Sequence, residues 1–352
     1  KMRRYHTRAD VLTAQTVLEQ HTGRSVVICN TVARARAMAR RLREQTSDTE
    51  IILLHSQFLR EDRDKIEDSI RKHFGEKAPP DGSVIVVSTQ AIEVGVDITS
   101  TAMHTELAPA NAIIQRAGRC ARYKDDVGDV YIYRHVQDQH GETIDLYERT
   151  NPYSGTLQQP QIPRTFEAFQ HISGRPLDFD GEQHIIDTVH AEADMQNLAS
   201  LDADTAKHRQ SMFAAMRGDH DHVGELVRKV IAQPLIIHDA PETVKHPYDL
   251  PSFSLHPGSL RKYVSDWLQI WCDMPDAPDW CVKYLHKRED VADDEGLTEQ
   301  ELYTWEPSNN FYPEGFHIPY GTLVVVHPAL ASYTKTDGLI PEVGGGWDRD
   351  LD

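Results

Sequence analysis

Three short apolar runs constrain this chain most: Ser25–Cys29 (SVVIC), Ile51–Leu54 (IILL) and Val84–Val87 (VIVV). Each suits a strand buried on both faces, and each ends in polar residues: Asn30-Thr31, His55-Ser56-Gln57 and Ser88-Thr89-Gln90. Val32–Gln45 and Arg60–Phe74 follow the first two with helical patterning. Strand, polar tip and helix in repetition predict a parallel sheet with helices on both faces. Open sheets of that kind place ligands at the carboxyl ends of their strands, where the polar tips fall. Upstream, Val11, Leu12, Val17 and Leu18 predict a helix over Asp10–His21 that stops at Gly23. After Gly128, the string DVYIYRH predicts a last strand.

The stretch Val84–Arg122 carries the chemistry. On a helix, the spacing of Gln115, Arg119 and Arg122 would place all three side chains on one face. Two convergent guanidiniums beside the small Ala117-Gly118 pair suit a transferring phosphoryl group, because arginine is always charged and its planar fork matches phosphate oxygens. An isolated pair of this kind is ordinarily a solvated surface feature. Here it stands behind a second polar string, Ser88 to Asp97, and each follows an apolar run.

These strings resemble known helicase motifs. Gln115-Arg116-Ala117-Gly118-Arg119-Cys120-Ala121-Arg122 is similar to motif VI of superfamily 2 helicases, and Ser88-Thr89-Gln90-Ala91-Ile92-Glu93-Val94-Gly95-Val96-Asp97 to motif V. Val26 to Val32 resembles motif IV, and Leu54 to Arg63 the motif that follows it. Leu107-Ala108-Pro109-Ala110 ahead of motif VI, with the phrasing STQAIEVGVDI, most resembles the CRISPR-associated helicase–nuclease of type I interference systems, over about residues 20–135. Val94-Gly95-Val96 departs from that family's commoner string toward the general helicase form.

The resemblance implies a second RecA-like lobe over residues 1–150, a linker over 151–165 and a smaller α+β accessory domain over 166–352. It implies arginine-finger catalysis by Arg119 and Arg122, and an ATP cleft lined by Gly95, Asp97, Gln115, Arg119 and Arg122, with Asp97 on the ribose. Asn30, Thr31, His55, Ser56, Ser88, Thr89 and Gln90 would track a nucleic-acid backbone. The implied partners are a first RecA-like lobe, single-stranded DNA, the CRISPR RNA-guided surveillance complex and an HD nuclease domain. Neither a GxxxxGK[ST] phosphate loop nor a DExx box occurs in the sequence, so ATP hydrolysis and Mg²⁺ binding would depend on that first lobe. The opening Lys1 fits a trimmed piece of a longer protein.

Composition sets the remaining limits. At 352 residues, 39% apolar and 26% charged, the chain has room for two domains, and no apolar run approaches the roughly 18 residues of a membrane span. Cys29, Cys120, Cys272 and Cys281 fit neither zinc spacing nor a disulfide framework, which predicts a reducing cytoplasm. Residues 1–150 hold 22 basic and 22 acidic residues, leaving 15 and 33 for the rest, so the whole charge of −18 falls after residue 150. A neutral first half can still carry a basic groove.

Residues 151–165 are rich in Pro, Gln, Ser and Thr, as linkers are. Beyond them, helices are predicted over Phe166–Arg175, Thr205–Gly218 and Leu260–Trp271, and strands over Ala232–His238, Pro251–Leu255 and Gly321–His327. Trp267 and Trp271 read as core rather than as base-stacking surfaces. Asp219-His220-Asp221-His222 and His238-Asp239 lack the further ligands of an HD metal site, so no metal site and no nuclease are expected. Two other readings remain: a non-catalytic nucleic-acid-binding or scaffold module, or a helicase of RNA or duplex DNA.

Overall fold

The computed structural model describes residues 2–78, 82–93, 95–156, 158–203, 212–213, 216–217, 232–288, 302–307, 321–342 and 346–347. They form two compact units: residues 1–55 with 64–229, and residues 56–63 with 230–352.

The first unit is an α/β sandwich on one large sheet. Its strands are β1 (Met2–Leu12), β2 (Arg24–Ile28), β3 (Glu50–Leu54), β4 (Val84–Ser88), β5 (Ala102–Glu106), β6 (Val127–Gln137), β7 (Thr143–Asp145) and β8 (Pro176–Leu177). They run in the order β3-β4-β2-β5-β6-β1-β8, with β7 beside β6. Every pairing from β3 to β1 is parallel; β8 and β7 add antiparallel edges. Val26, Val27, Ile28, Leu54, Ile85, Val86 and Val87 are all buried, as strands covered on both faces require.

The helices are α1 (Ala14–Gln20), α2 (Val32–Gln45), α3 (Arg60–Phe74), α4 (Ala110–Ala117), α5 (Gln161–His171) and α6 (Phe179–Ala203). Thr31 caps α2, its hydroxyl accepting the Arg34 N–H at 3.4 Å. The α2 and α3 bounds agree with the sequence. The predicted helix over Asp10–His21 does not: β1 runs through Leu12 before Thr13 starts α1 with a capping box to Thr16. Parallel pairing with β6 over residues 2–8 and, past a register shift, at Val11 and Leu12 outweighs the local helical spacing.

The unit boundary also differs from the expected one near residue 150. Gln161–His171 is helical with Ile162 and Phe169 buried, so the polar composition of 151–165 marks a loop and a helix start within the first unit. Tyr5 packs on Phe169 with the rings tilted and their centroids 5.0 Å apart. The buried Arg3 and the Tyr5 hydroxyl both donate to Glu182 of α6, each at 2.7 Å. These contacts tie α5 and α6 to β1.

The second unit is a smaller α+β assembly. Its strands are β9 (Gln233–Ile237), β10 (Phe253–Leu255), β11 (Val282–Lys287), β12 (Tyr303–Pro307) and β13 (Val324–Val326), ordered β10-β9-β13-β11-β12 around one parallel pair, β9 with β13. A three-stranded sheet holds β14 (Ser332–Thr334), β15 (Gly338–Ile340) and β16 (Gly346–Trp347). The one helix named here, α7 (Pro257–Asp273), has Trp267 fully buried with its indole N–H on the Pro341 carbonyl at 2.7 Å. Trp271 donates to the Pro278 carbonyl at 2.7 Å but stays half-buried, so of the two tryptophans expected in the core Trp267 alone is fully packed there. Residues 56–63, which follow β3 in sequence, belong to this unit: the Tyr333 hydroxyl donates to Asp62 at 2.7 Å, and the Leu339 N–H to the Gln57 carbonyl at 3.0 Å.

Among the described residues, no helix is long and apolar enough to cross a membrane and no group of three or more His, Cys, Asp or Glu could hold a metal. His238 uses its Nδ1 to accept the Ala240 N–H at 3.0 Å as a local cap. The Asp219–His222 cluster lies outside the described residues, as does most of the Thr205–Gly218 helix prediction.

Candidate functional site

The carboxyl ends of β3, β4, β2 and β5 form one edge of the large sheet; Asn30, Thr31, His55, Ser88, Thr89 and Gln90 fall there, whereas Arg119 and Arg122 lie beside Thr99 and Ser100, which precede β5. After β4, Thr89 caps a single 3-10 turn, Gln90–Ile92, that leads into Glu93. Gly95 has φ +86°, and a Cβ there would meet nothing within 4 Å, so this backbone lies open. Val94 lies outside the described residues. Asp97 and Gln115 are exposed, whereas Arg119 and Arg122 are half-buried.

Arg119 and Arg122 come together, but not on a helix face as expected. Helix α4 ends at Ala117, and Arg119–Ala121 is laid against Ser100 by an isolated parallel bridge. Ser100 N–H donates to the Arg119 carbonyl at 2.9 Å, and Ala121 N–H to the Ser100 carbonyl at 3.1 Å. Ala121 adopts φ +45°, a left-handed conformation that costs a non-glycine residue on the order of 1 kcal/mol. It turns the chain so that the Arg122 N–H reaches the Thr99 hydroxyl at 3.1 Å. Close packing of β6 helps fix this segment: a Cβ on Gly128 would stand 2.5 Å from the Cys120 sulfur. Burial pushes the Cys120 thiol up to about 12, so it is an inert packing group.

The Arg119 guanidinium is held along one edge. Its Nε donates to the Ile92 carbonyl at 3.1 Å and its Nη2 to the Glu93 carbonyl at 2.5 Å. Burial, and then the neighbouring positive charge of Arg122, hold its pKa below the usual arginine value. Arg122 pairs through Nε with the exposed Asp97 carboxylate. Two like charges side by side, next to an open glycine, suit an anion such as a terminal phosphate, which would relieve their repulsion.

The predicted strand-contacting residues divide into two groups. Asn30, His55, Ser88 and Thr89 are buried. Asn30 donates from Nδ2 to the Leu107 carbonyl at 2.8 Å and accepts from Arg116 Nη2 at 2.9 Å, while the Ser88 hydroxyl donates to the Leu54 carbonyl at 2.8 Å. The side chains of Asn30 and Ser88 are thus engaged within the sheet edge, and that of His55 is fully buried. Thr31 and Gln90 stay half-buried at the edge, and Ser56 is exposed and belongs to the second unit.

Three buried charges, Glu106, Arg34 and Arg116, went unnoticed in the sequence. Glu106 at the end of β5 takes Arg34 Nε at 2.8 Å, Arg34 Nη2 at 2.7 Å and the Asn30 N–H at 2.7 Å. Burial alone would lower the Arg34 pKa, but the attraction of Glu106 turns the net shift upward. Arg116, inside the motif itself, is fully buried. Its only sequence signal was its place between Gln115 and the two arginines that were singled out.

Residues 21–125 match the family model described as CRISPR-associated nuclease/helicase Cas3, C-terminal. The chain resembles the C-terminal helicase half of Cas3. A putative CRISPR-associated nuclease/helicase Cas3 of Methanocaldococcus jannaschii is 31% identical over 175 residues, covering 50% of the Cas3-like chain and 22% of the relative. A CRISPR-associated helicase Cas3 of Thermoproteus tenax is 30% identical over 178 residues, covering 49% and 27%. The chain thus spans about a quarter of the length of these relatives. The T. fusca Cas3–ADP crystal structure aligns over 97% of the Cas3-like chain and 42% of its own, at 16% identity and TM-score 0.54. At that identity the likeness is one of fold, and it agrees with the α/β architecture.

Proposed function

We propose that this chain is the finger-bearing half of an ATP-dependent superfamily 2 translocase of the Cas3 kind, acting on single-stranded DNA in CRISPR interference. The observation that carries this reading is the held guanidinium of Arg119. Its Nε and one Nη2 proton are taken by carbonyls, and the opposite edge has no partner among the described residues. An arginine fixed from behind can meet developing charge on a γ-phosphoryl oxygen without reorganising. The names of the relatives and the nucleotide in the T. fusca structure support the assignment.

ATP, when bound, would supply the phosphoryl group transferred to water; its presence in the cleft favours closure of the two lobes, and hydrolysis releases the closed state. Arg119 and Arg122 stabilise charge on its terminal oxygens, and Gly95 and Gln115 line the cleft. Asp97 accepts from a ribose hydroxyl. In the structure Asp97 and Arg122 hold each other, so their ion pair opens when each turns to the nucleotide. Exposed pairs of this kind are worth about 1 kcal/mol or less, a small barrier to that exchange. Thr31 and Gln90 offer a hydroxyl and an amide to the phosphates of a strand, which need no base readout. A first RecA-like lobe provides the phosphate loop and holds Mg²⁺; the surveillance complex and an HD nuclease are the remaining partners of this assembly, in a cytoplasmic setting.

The test is strand-stimulated ATP hydrolysis by this chain alone, mixed with a phosphate-loop lobe, and mixed as Arg119→Ala. Activity is expected only in the mixture, and the variant should lose on the order of 10³ in turnover while binding single-stranded DNA as before. Strand binding without hydrolysis in every mixture would favour a non-catalytic binding module. Loss of strand binding in Arg119→Ala would assign that arginine to the fold or to the nucleic acid.

A further inference from the structure

Arg116 is the guanidinium of the motif that the nucleotide reading leaves unused, and its surroundings are unusually complete. Its Nε donates to Glu93 Oε1 at 3.0 Å, Nη1 to the Thr105 hydroxyl at 2.9 Å and the Glu106 carbonyl at 3.1 Å, and Nη2 to Asn30 Oδ1 at 2.9 Å and the Tyr153 hydroxyl at 3.3 Å. All five N–H donors of the side chain are engaged. A packed apolar residue could fill such a space at no greater cost in stability, because burying a charge pair is expensive even when it is well compensated. What an apolar residue could not do is fix Glu93. The Glu93 carboxylate rests on Arg116, while the Glu93 carbonyl, with that of Ile92, receives Arg119. Moreover, Glu93 closes the 3-10 turn, its own N–H donating to the Gln90 carbonyl at 3.0 Å.

We infer that Glu93 and Arg116 are positioning residues for Arg119: their ion pair locks the turn after β4 so that two consecutive carbonyls clamp the finger guanidinium. This rests on the finger reading for its catalytic meaning, though not for its geometry. The Glu93 side chain is 13% exposed, so it can be altered without opening a large cavity. Glu93→Gln keeps an oxygen for Arg116 Nε; Glu93→Ala leaves that donor without its acceptor.

The first measurement is hydrogen exchange at the Arg119 Nε–H of this chain, by nitrogen-15 NMR, with the Arg34 Nε–H on Glu106 as a reference in the same lobe. Glu93→Ala should speed Arg119 exchange by about tenfold or more with Arg34 unchanged, and Glu93→Gln should stay within about threefold of the parent. In the assembled enzyme Glu93→Ala should cut turnover about tenfold, change KM for ATP less than about twofold, and add nothing in an Arg119→Ala background. Unchanged Arg119 exchange in Glu93→Ala overturns the inference whatever the activity does. Faster exchange at both arginines overturns it too, since the pair would then merely hold the fold. If Arg119→Ala itself leaves turnover intact, the finger reading falls while the exchange result still decides the positioning.

Discussion

His104 shows how a single side chain can set the pH response of the lobe. It is fully buried in β5, stacked on Tyr131 at 5.0 Å, with Nδ1 at 3.0 Å from the Tyr133 hydroxyl. Burial, then the positive charge of Arg8, pushes its pKa down to about 3, against an ordinary value of 6.5. Between these values the unfolded chain takes up a proton that the folded chain refuses. Stability is therefore fully present above pH 6.5 and declines as pH falls toward 3, with this residue contributing up to about 1.4 kcal/mol per pH unit. Burial lowers His21, His190 and His327 as well, with the same sign. His104→Phe keeps a stacking ring and should flatten the decline between pH 6.5 and 4.5 in urea titrations; an unchanged slope would mean His104 is solvated when protonated. At the same scale, only part of the site was legible. Arg119 and Arg122 stood out because their spacing and charge are written in the chain, whereas Asn30 and Ser88 look like polar tips until their partners on other strands are known.

At the scale of elements, the end of β5 ties strand, helix and motif together. Glu106 is buried with three short hydrogen bonds, from Arg34 of α2 and the backbone at the tip of β2. Glu106→Ala would leave Arg34 as an uncompensated buried cation and should cost about 3 to 5 kcal/mol, read as a lower denaturation midpoint. Replacing both partners by Met and Leu should recover much of that loss; no recovery would place the cost in packing. The segment from Gln115 to Arg122 belongs to this scale too. Its spacing of four and three residues is compatible with a helix, yet α4 stops at Ala117 because Ser100 offers a bridge to Cys120. Local periodicity is silent about an acceptor twenty residues away in sequence.

For the whole molecule, the boundary between units is the structural decision with most consequence. Composition points to a break near residue 150, where polar and turn-forming residues gather, but Arg3, Tyr5 and Glu182 join β1 to α6 far downstream. A chain ending at residue 229 keeps Phe169 and Glu182 on β1 and should melt more cooperatively than one ending at 150. One ending at 150 removes the cover of Tyr5 and leaves Arg3 without its carboxylate; it should aggregate or melt broadly. Equal behaviour of the two truncations in thermal scans by circular dichroism would contradict the assignment of α5 and α6 to the first unit.

The sequence by itself determined the α/β class, the run of strands β2, β3 and β4 with helices α2 and α3, and the two arginines, because apolar run length, helical period and guanidinium chemistry are local properties. Only the tertiary structure decided that β1 is a strand, that Arg116 is buried with all its donors engaged and that Arg119 and Arg122 flank a bridge to Ser100 rather than lying along a helix. Each of those depends on hydrogen-bond partners distant in sequence, and a buried charge is recognisable only once its counter-charge has been brought beside it.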